Sequence, residues 1–185
     1  IKSAKFGLVG ASWKAALRRT HYLTAISTFL LNLGKEFGYH GRAQVIPNGV
    51  DVAAFTQEFL PDELRLLRDG LGIMEDEKVV ITTSRLVKKN AVDIVIRAIS
   101  ILAKKGKRVK LLILGSGEDE KSLRELAGEV GAEELVYFLG DVSHSEIPKY
   151  LRIADVFVRP SRSEGLGNSF IEAMAAGIPI VGTLV

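Results

Sequence analysis

The chain has 185 residues, of which 47% are apolar and 25% charged, a composition typical of a globular protein with a sizeable core. Cysteine is absent, which excludes disulfide bonds, thiolate zinc sites and a cysteine nucleophile, and fits a reducing compartment. No apolar run approaches the roughly 18 residues that a membrane-spanning helix needs. Seven Lys or Arg stand against one acid in residues 1–50, whereas acids outnumber bases afterwards. Without a clustered basic stripe, nucleic acid is not an expected partner.

Residues 1–44 do not follow the regular pattern of the later chain. A strand is predicted at Leu23–Ser27 and a helix at Thr28–Phe37, and glycines and Pro47 then mark a boundary. We expect residues 1–44 to be the tail of a preceding domain and residues 45–185 to form a second domain. Trp13, Lys14 and Arg18 share a helix face, which suits either contact with a membrane surface or packing on that preceding domain.

From residue 78 onward, short apolar runs alternate with helical periodicity. Five strands and the helices between them are predicted as follows: strand 79–81, helix 92–102, strand 110–114, a charged helix with Leu123 and Leu126 inward, strand 135–139, a helix from Ser143 with a capping box to Glu146, strand 155–158, helix 168–175 and strand 178–181. Because the strands are apolar throughout, both sheet faces are expected to be covered. The fold class predicted is therefore α/β, a doubly wound parallel sheet of Rossmann type.

Ligands of such a sheet bind at the carboxyl ends of the strands, which places the loops 84–90, 115–118, 140–142 and 161–168 at the candidate site. In the last loop, Gly165 and Gly167 precede a helix whose first amides favour an anion such as phosphate. Glu164 and Glu172 stand on either side of that helix start, and carboxylates accept hydrogen bonds from sugar hydroxyls. The layout suits a nucleotide sugar, whereas helix capping with ordinary surface glutamates is the plainer interpretation.

Two further loops carry weaker signals. Arg85 and Lys89, or Lys88 in its place, follow the first strand of the sheet and would neutralise a diphosphate, unless they are solvated loop charges. Gly115 and Gly117 partly match a dinucleotide fingerprint, but Glu120 occupies the third glycine position, so they serve either a ligand or the turn. The three histidines are isolated and lack metal-ligand spacing.

Taken together, these pieces resemble the C-terminal, donor-binding half of GT-B glycosyltransferases of family four. The resemblance is carried by Val45–Asp51, Ser84–Val87, Leu114–Gly117, Phe138–Gly140, Ala154–Val158 and the Glu164-x7-Glu172 element followed by Ala173–Val181. It implies transfer of a sugar from a nucleoside diphosphate sugar to a hydroxyl of a glycan, lipid or small-molecule acceptor, with retention of configuration and without a metal or other cofactor. It also implies that residues 1–44 end an acceptor-side domain, that the domain is truncated at both ends and that the isolated chain is inactive.

The resemblance assigns roles to individual residues. Glu164, Arg85 and Lys89 would be catalytic, with Glu164 holding the donor sugar and the two cations stabilising the departing diphosphate. The residues implied in donor binding are Gly165, Leu166, Gly167 and Asn168 at the distal phosphate and sugar, Glu172 at the ribose, Gly115 and Gly117, and Leu139 and Val142 near the base. One departure concerns the lysine and glycine that the family usually places after the arginine, since Asn90 and Ala91 stand there. A non-catalytic nucleotide-sugar-binding module and a GT-B sugar-nucleotide epimerase remain alternatives. The expected location is the cytoplasm, at the membrane surface if the basic N-terminal segment engages lipid.

Overall fold

The computed structural model describes residues 8–184, and the first seven residues of the predicted 1–44 segment lie outside them. The chain divides into two compact units. The first contains the residues up to Gly49 together with the short stretch Gly165–Gly167, and the second contains Val50–Glu164 and the residues from Asn168 onward. The boundary predicted between residues 44 and 45 falls inside a strand of the first unit.

The first unit is a two-stranded parallel sheet with two helices. Its elements are α1 (Leu8–Arg19), β1 (Tyr22–Ala25), α2 (Thr28–Glu36) and β2 (Arg42–Val45). The Ser27 hydroxyl caps α2 by accepting a hydrogen bond from the Leu30 amide at 3.3 Å. The buried Tyr39 donates its hydroxyl proton toward the carbonyls of Arg42 and His21, and so ties the start of β2 to the start of β1.

The second unit is a five-stranded parallel sheet with helices on both faces. Its elements are α3 (Val52–Thr56), α4 (Pro61–Gly70), β3 (Lys78–Thr83), a 3₁₀ turn (Lys88–Asn90), α5 (Val92–Lys104), β4 (Val109–Leu114), α6 (Glu120–Glu129), a 3₁₀ turn (Glu133–Leu135), β5 (Val136–Gly140), α7 (Ile147–Arg152), β6 (Val156–Arg159), α8 (Asn168–Ala175) and β7 (Ile180–Gly182). The strand order is β5-β4-β3-β6-β7, and every pairing is parallel. This confirms the doubly wound α/β prediction.

Side chains alternate between two apolar layers along the central strand β3. Val80 packs with the α5 and α6 side chains on one face of the sheet, whereas Val79 and Ile81 pack with α3, α7 and α8 on the other. Five of the six β3 residues are buried, which explains the apolar run Val79-Val80-Ile81 in this strand.

The structure corrects two predictions about element boundaries. No helix begins at Ser143: residues 143–146 form a turn in which the Ser143 carbonyl accepts from the amides of Glu146 and Ile147, and α7 starts at Ile147 without a side-chain cap. The capping box is therefore wrong, because the two hydroxyls of Ser143 and Ser145 lie against each other at 3.1 Å. The last strand begins at Ile180, two residues later than predicted.

Candidate functional site

The candidate site lies at the carboxyl edge of the five-stranded sheet, where the loops after β3 and β6 diverge. β4 and β5 extend the sheet from β3 to one side, and β6 and β7 extend it to the other. The connection after β3 and the connection after β6 therefore leave in opposite directions. A crevice opens at such a switch point, and ligands of doubly wound sheets bind there.

Arg159, the last residue of β6, is the buried centre of this crevice. Its Nε donates to the Ser161 hydroxyl at 3.2 Å and its Nη1 to the Ser169 hydroxyl at 2.6 Å. Its Nη2 donates to Asn90 Oδ1 at 3.2 Å and lies 2.7 Å from Glu164 Oε2. One guanidinium thus joins β6, the loop after β3, the first turn of α8 and the first carboxylate of the Glu164-x7-Glu172 element.

Both predicted carboxylates act electrostatically on this arginine. Burial lowers the pKa of Arg159, and attraction to Glu164 and Glu172 partly opposes that effect. The side chains of Glu164 and Glu172 are only 18% and 14% exposed. The two glutamates are therefore held near the same cation at the same edge of the sheet.

Glu172 lies within α8 and has a partner that the sequence did not predict. Its Oε1 is 3.1 Å from Nε2 of His144, whose ring meets the buried Phe55 edge-on at 5.5 Å between centroids. The sequence predicts an isolated His144, and the structure corrects this by placing it against Glu172. The turn Gly165–Gly167, including Leu166, separates Glu164 from the start of α8 at Asn168.

The loop after β3 carries the two predicted catalytic cations, Arg85 and Lys89, and both are exposed. The loop is fastened to the chain after β6 by Arg162, whose amide donates to the Lys89 carbonyl at 2.7 Å and whose guanidinium donates to the Lys88 carbonyl. Arg162 also pairs with Asp93 at 2.7 Å, and this hydrogen bond is the main reason that the pKa of Asp93 is lowered.

Asn90 and Ala91 depart from the family pattern, and both adopt a defined conformation. The buried Asn90 side chain accepts from Arg159 and donates to the Arg85 carbonyl at 2.7 Å. Ala91 has a φ of 57°, and is the one non-glycine residue with positive φ in the described part of the chain. A glycine at this position would adopt that backbone without strain.

Gly115 and Gly117 are required by the loop after β3. A Cβ at Gly115, whose φ is +123°, would lie 2.1 Å from the Ser84 carbonyl oxygen, and one at Gly117 would lie 2.3 Å from that of Leu86. The Leu86 amide donates to the Ser116 carbonyl at 2.8 Å across the same approach. Packing alone accounts for both glycines, so their part in donor binding remains a prediction.

Leu139 and Val142 flank the end of β5 and are half-buried in the apolar layer beneath it. Between them, Asp141 accepts a 2.7 Å hydrogen bond from the Ser116 hydroxyl, which ties the loop after β5 to the loop after β4. Leu139 and Val142 thus lie at the same edge of the sheet as the carboxylates.

Arg159, Asn90 and His144 are the residues that the sequence interpretation missed. A signal for Arg159 was present, because it follows Val156, Phe157 and Val158 in a strand and alternation puts it on the buried Phe157 side.

Across residues 8–184, no group of three or more His, Asp or Glu is arranged to hold a metal ion. Within the same range, none of the helices is sufficiently long and apolar to span a membrane.

Known proteins are similar to this chain in sequence and in fold. HepE of Anabaena, solved in complex with UDP and glucose, superposes with a TM-score of 0.81 at 25% identity over 96% of this chain and 48% of that one. A GDP-mannose-dependent monoacylated alpha-(1-6)-phosphatidylinositol monomannoside mannosyltransferase of Corynebacterium glutamicum is 35% identical over 86% of this chain and 43% of that protein. An alpha-monoglucosyldiacylglycerol synthase of Acholeplasma laidlawii is 31% identical over 77% of this chain and 36% of that protein.

The doubly wound sheet, with two carboxylates at its switch point, has the fold of the GT-B glycosyltransferase structures that it matches. The model of the family described as glycosyl transferases group 1 matches residues 65–184, and the chain belongs to that family. The chain spans about half the length of the relatives and structures that it matches, or somewhat less.

Proposed function

We propose that this chain supplies the donor site of a two-domain, retaining hexosyltransferase that uses a nucleoside diphosphate sugar. The observation that carries the proposal is the position of Glu164 and Glu172 at the switch point of the sheet, where Glu164 lies 2.7 Å from Nη2 of the buried Arg159 and Glu172 lies 3.1 Å from His144. Family membership and the UDP and glucose bound by HepE support the same assignment.

Each carboxylate would hold one end of the donor. Glu172 would accept hydrogen bonds from the ribose hydroxyls, joining His144, which already lies 3.1 Å away. Glu164 would accept hydrogen bonds from hydroxyls of the transferred sugar. The amides of residues 165–168 at the start of α8 would meet the distal phosphate, because a helix N-terminus favours negative charge. The base would lie near Leu139–Val142.

Arg85 and Lys89 would stabilise the leaving group. During transfer, the acceptor oxygen bonds to the anomeric carbon as the bond from that carbon to the diphosphate breaks, and the hydroxyl proton leaves with the departing phosphate or to solvent. Negative charge then grows on the diphosphate, and cations aimed at it lower the barrier without a metal ion. The exposure of both side chains leaves them able to reach a ligand.

The acceptor would carry a hydroxyl, and a lipid acceptor is one option because the two relatives named above are lipid glycosyltransferases by name. Contact with a membrane surface through α1 is part of this proposal. Trp13 is 57% exposed, and the exposed Lys14 and Arg18 beside it are four residues apart on the same helix, which is an arrangement suited to an anionic interface.

A thermal-shift screen of the two-domain protein with UDP-, GDP- and ADP-sugars tests the donor assignment, because a ligand that binds only the folded state raises the melting temperature. We expect one nucleotide class to raise it clearly. Consumption of that donor should then require an acceptor. Consumption without acceptor would indicate epimerisation, and binding with no turnover under any acceptor would indicate a binding module.

The isolated 185-residue chain should bind the same donor poorly and transfer no sugar, because a GT-B enzyme closes two domains over its substrates. Turnover by this chain at a rate comparable with the two-domain protein would contradict the proposal.

A further inference from the structure

We propose that Arg159 is a positioning residue that holds the Glu164 carboxylate in the orientation required by the donor sugar. This inference rests on the proposed function, and concerns a residue that lies outside the Glu164-x7-Glu172 element. Arg159 would act through Glu164, with no contact to the substrate itself.

The geometry of Arg159 supports positioning because its nitrogens are engaged from several directions. The Ser161 hydroxyl accepts a hydrogen bond from Nε, the Ser169 hydroxyl accepts one from Nη1, and the Asn90 side-chain oxygen accepts one from Nη2. Because these three partners are neutral, none of them balances the positive charge of Arg159. Glu164, 2.7 Å from Nη2, supplies the nearest negative charge.

A planar guanidinium held by three hydrogen bonds has little freedom to rotate, so it fixes the carboxylate that pairs with it. Burial strengthens this effect, since the Arg159 side chain is 11% exposed and that of Glu164 is 18% exposed, which limits screening by water. A carboxylate has about four acceptor positions, and pairing with Arg159 uses only part of them.

Arg159 also joins the two loops that form the crevice. Asn90 receives one of its hydrogen bonds and donates to the Arg85 carbonyl, so Arg159 is connected to the loop that bears the leaving-group cations. The position of Asn90, where the family usually has a lysine, makes this connection possible, because a lysine would offer a second cation and no acceptor to Arg159.

A merely structural role makes a different prediction. Loss of a structural arginine would lower the melting temperature and weaken all ligands to the same degree. Loss of a positioning residue would weaken only the part of the affinity that comes from the sugar, because Glu172 and the helix start would still bind the nucleotide.

The test compares two affinities in the two-domain protein by calorimetry: that for the free nucleoside diphosphate and that for the matching nucleoside diphosphate sugar found in the screen. The ratio of the two dissociation constants is the sugar contribution. We expect Arg159→Met to reduce the sugar contribution by about tenfold, because Glu164 loses the cation that orients it, and to leave the affinity for the free diphosphate within about threefold. Arg159→Lys should recover part of the loss.

Arg68→Met is the matched control. Like Arg159, Arg68 donates several hydrogen bonds, but its acceptors are backbone carbonyls at the amino-terminal edge of the same sheet. Its Nη2 lies 2.7 Å from the Met74 oxygen and 3.0 Å from the Glu77 oxygen. It should lower stability and leave the sugar contribution unchanged. Should the Arg159 variants fail to fold, Ser169→Ala decides the matter, because it removes one partner of the guanidinium and should reduce the sugar contribution at least about twofold.

A double-mutant cycle with Glu164→Gln completes the test. If Arg159 acts through Glu164, Arg159→Met has little further effect on the sugar contribution in the Glu164→Gln background. Additive losses, or an unchanged sugar contribution in Arg159→Met, would overturn this inference and leave the proposed function intact. Where Ser169→Ala replaces the Arg159 variants, an unchanged sugar contribution in Ser169→Ala would do the same. If Glu164→Gln itself leaves the sugar contribution unchanged, the role of Glu164 in the proposed function fails, and the inference fails with it.

Discussion

Replacing Gly115 with alanine tests how the loop after β4 supports the loop that carries Arg85. A Cβ at this position would lie 2.1 Å from the Ser84 carbonyl oxygen, and Ser84 would have to move by about 1.3 Å to restore an ordinary contact of 3.4 Å. Ser84 directly precedes Arg85, so the displacement would be passed to that side chain. Gly115→Ala is therefore expected to disturb both folding and donor chemistry.

The loss of folding free energy in Gly115→Ala has two contributions, and substitutions at two other glycines measure them separately. A positive φ costs about 1 to 3 kcal/mol for alanine, and overpacking costs about 1 to 3 kcal/mol more. Gly117 shows no positive φ but has the clash, with a Cβ 2.3 Å from the Leu86 carbonyl oxygen, whereas Gly106 has a φ of +73° and open space around it. Gly115→Ala should thus lower the free energy of unfolding by at least about 2 kcal/mol, and by more than either of the other variants.

Gly106→Ala is the matched control for activity, because Gly106 precedes β4 at the opposite edge of the sheet. Urea unfolding gives the three free energies, and steady-state kinetics of the two-domain protein gives kcat/KM for the donor. A misplacement of about 1 Å in a catalytic group can cost about 100-fold, so Gly115→Ala and Gly117→Ala should lose at least tenfold and Gly106→Ala less than about twofold. Equal losses in all three variants, or full activity in Gly117→Ala, would refute the reasoning.

Two further predictions concern stability. Asp155 accepts a hydrogen bond from the Val79 amide at 2.8 Å and pairs with Lys78. Burial alone would raise the pKa of Asp155, but these two contacts outweigh burial and hold that pKa below its ordinary value of 3.8. Asp155→Ala should lower the free energy of unfolding by about 2 kcal/mol at pH 7, because the Val79 amide loses its acceptor. The difference from wild type should shrink as the pH falls below about 4, since a carboxyl group with a depressed pKa stabilises the fold only while it is ionised. A pH-independent difference in urea unfolding would contradict this. In the first unit, Tyr39→Phe should lower stability by about 1 kcal/mol, because it removes the hydroxyl that donates to the Arg42 carbonyl. Faster hydrogen exchange of the β1 and β2 amides would show this loss, and unchanged exchange would contradict it.

The sheet could be predicted because its strands are buried on both faces. A short apolar run such as Val79-Val80-Ile81 is typical of a strand buried on both faces. Because ligands of such sheets bind where the strand order reverses, the sequence also predicts that the loops 84–90 and 161–168 lie close together. Helix α3 was not predicted, because its five residues, Val52–Thr56, are too few to show periodicity. The ten-residue helix α4 was not predicted either.

The partners within the site depend on long-range contacts that local patterns do not contain. Arg159 and Asn90 are 69 residues apart, and His144 and Glu172 are 28 apart, so only the assembled sheet brings either pair together. The failed capping box has a different, local cause. Ser143 and Glu146 have the required spacing, but the Ser143 hydroxyl is paired with Ser145 and the backbone forms a turn.

The central claim is that Glu164 and Glu172 hold different ends of one donor, and calorimetric titration of the two-domain protein tests it most directly. Glu172→Ala should weaken the free nucleoside diphosphate and the nucleoside diphosphate sugar equally, by about tenfold or more, because it removes the ribose contact. Glu164→Ala should weaken only the nucleoside diphosphate sugar. If both variants weaken both ligands to the same extent, or if neither variant changes either affinity, the account is contradicted.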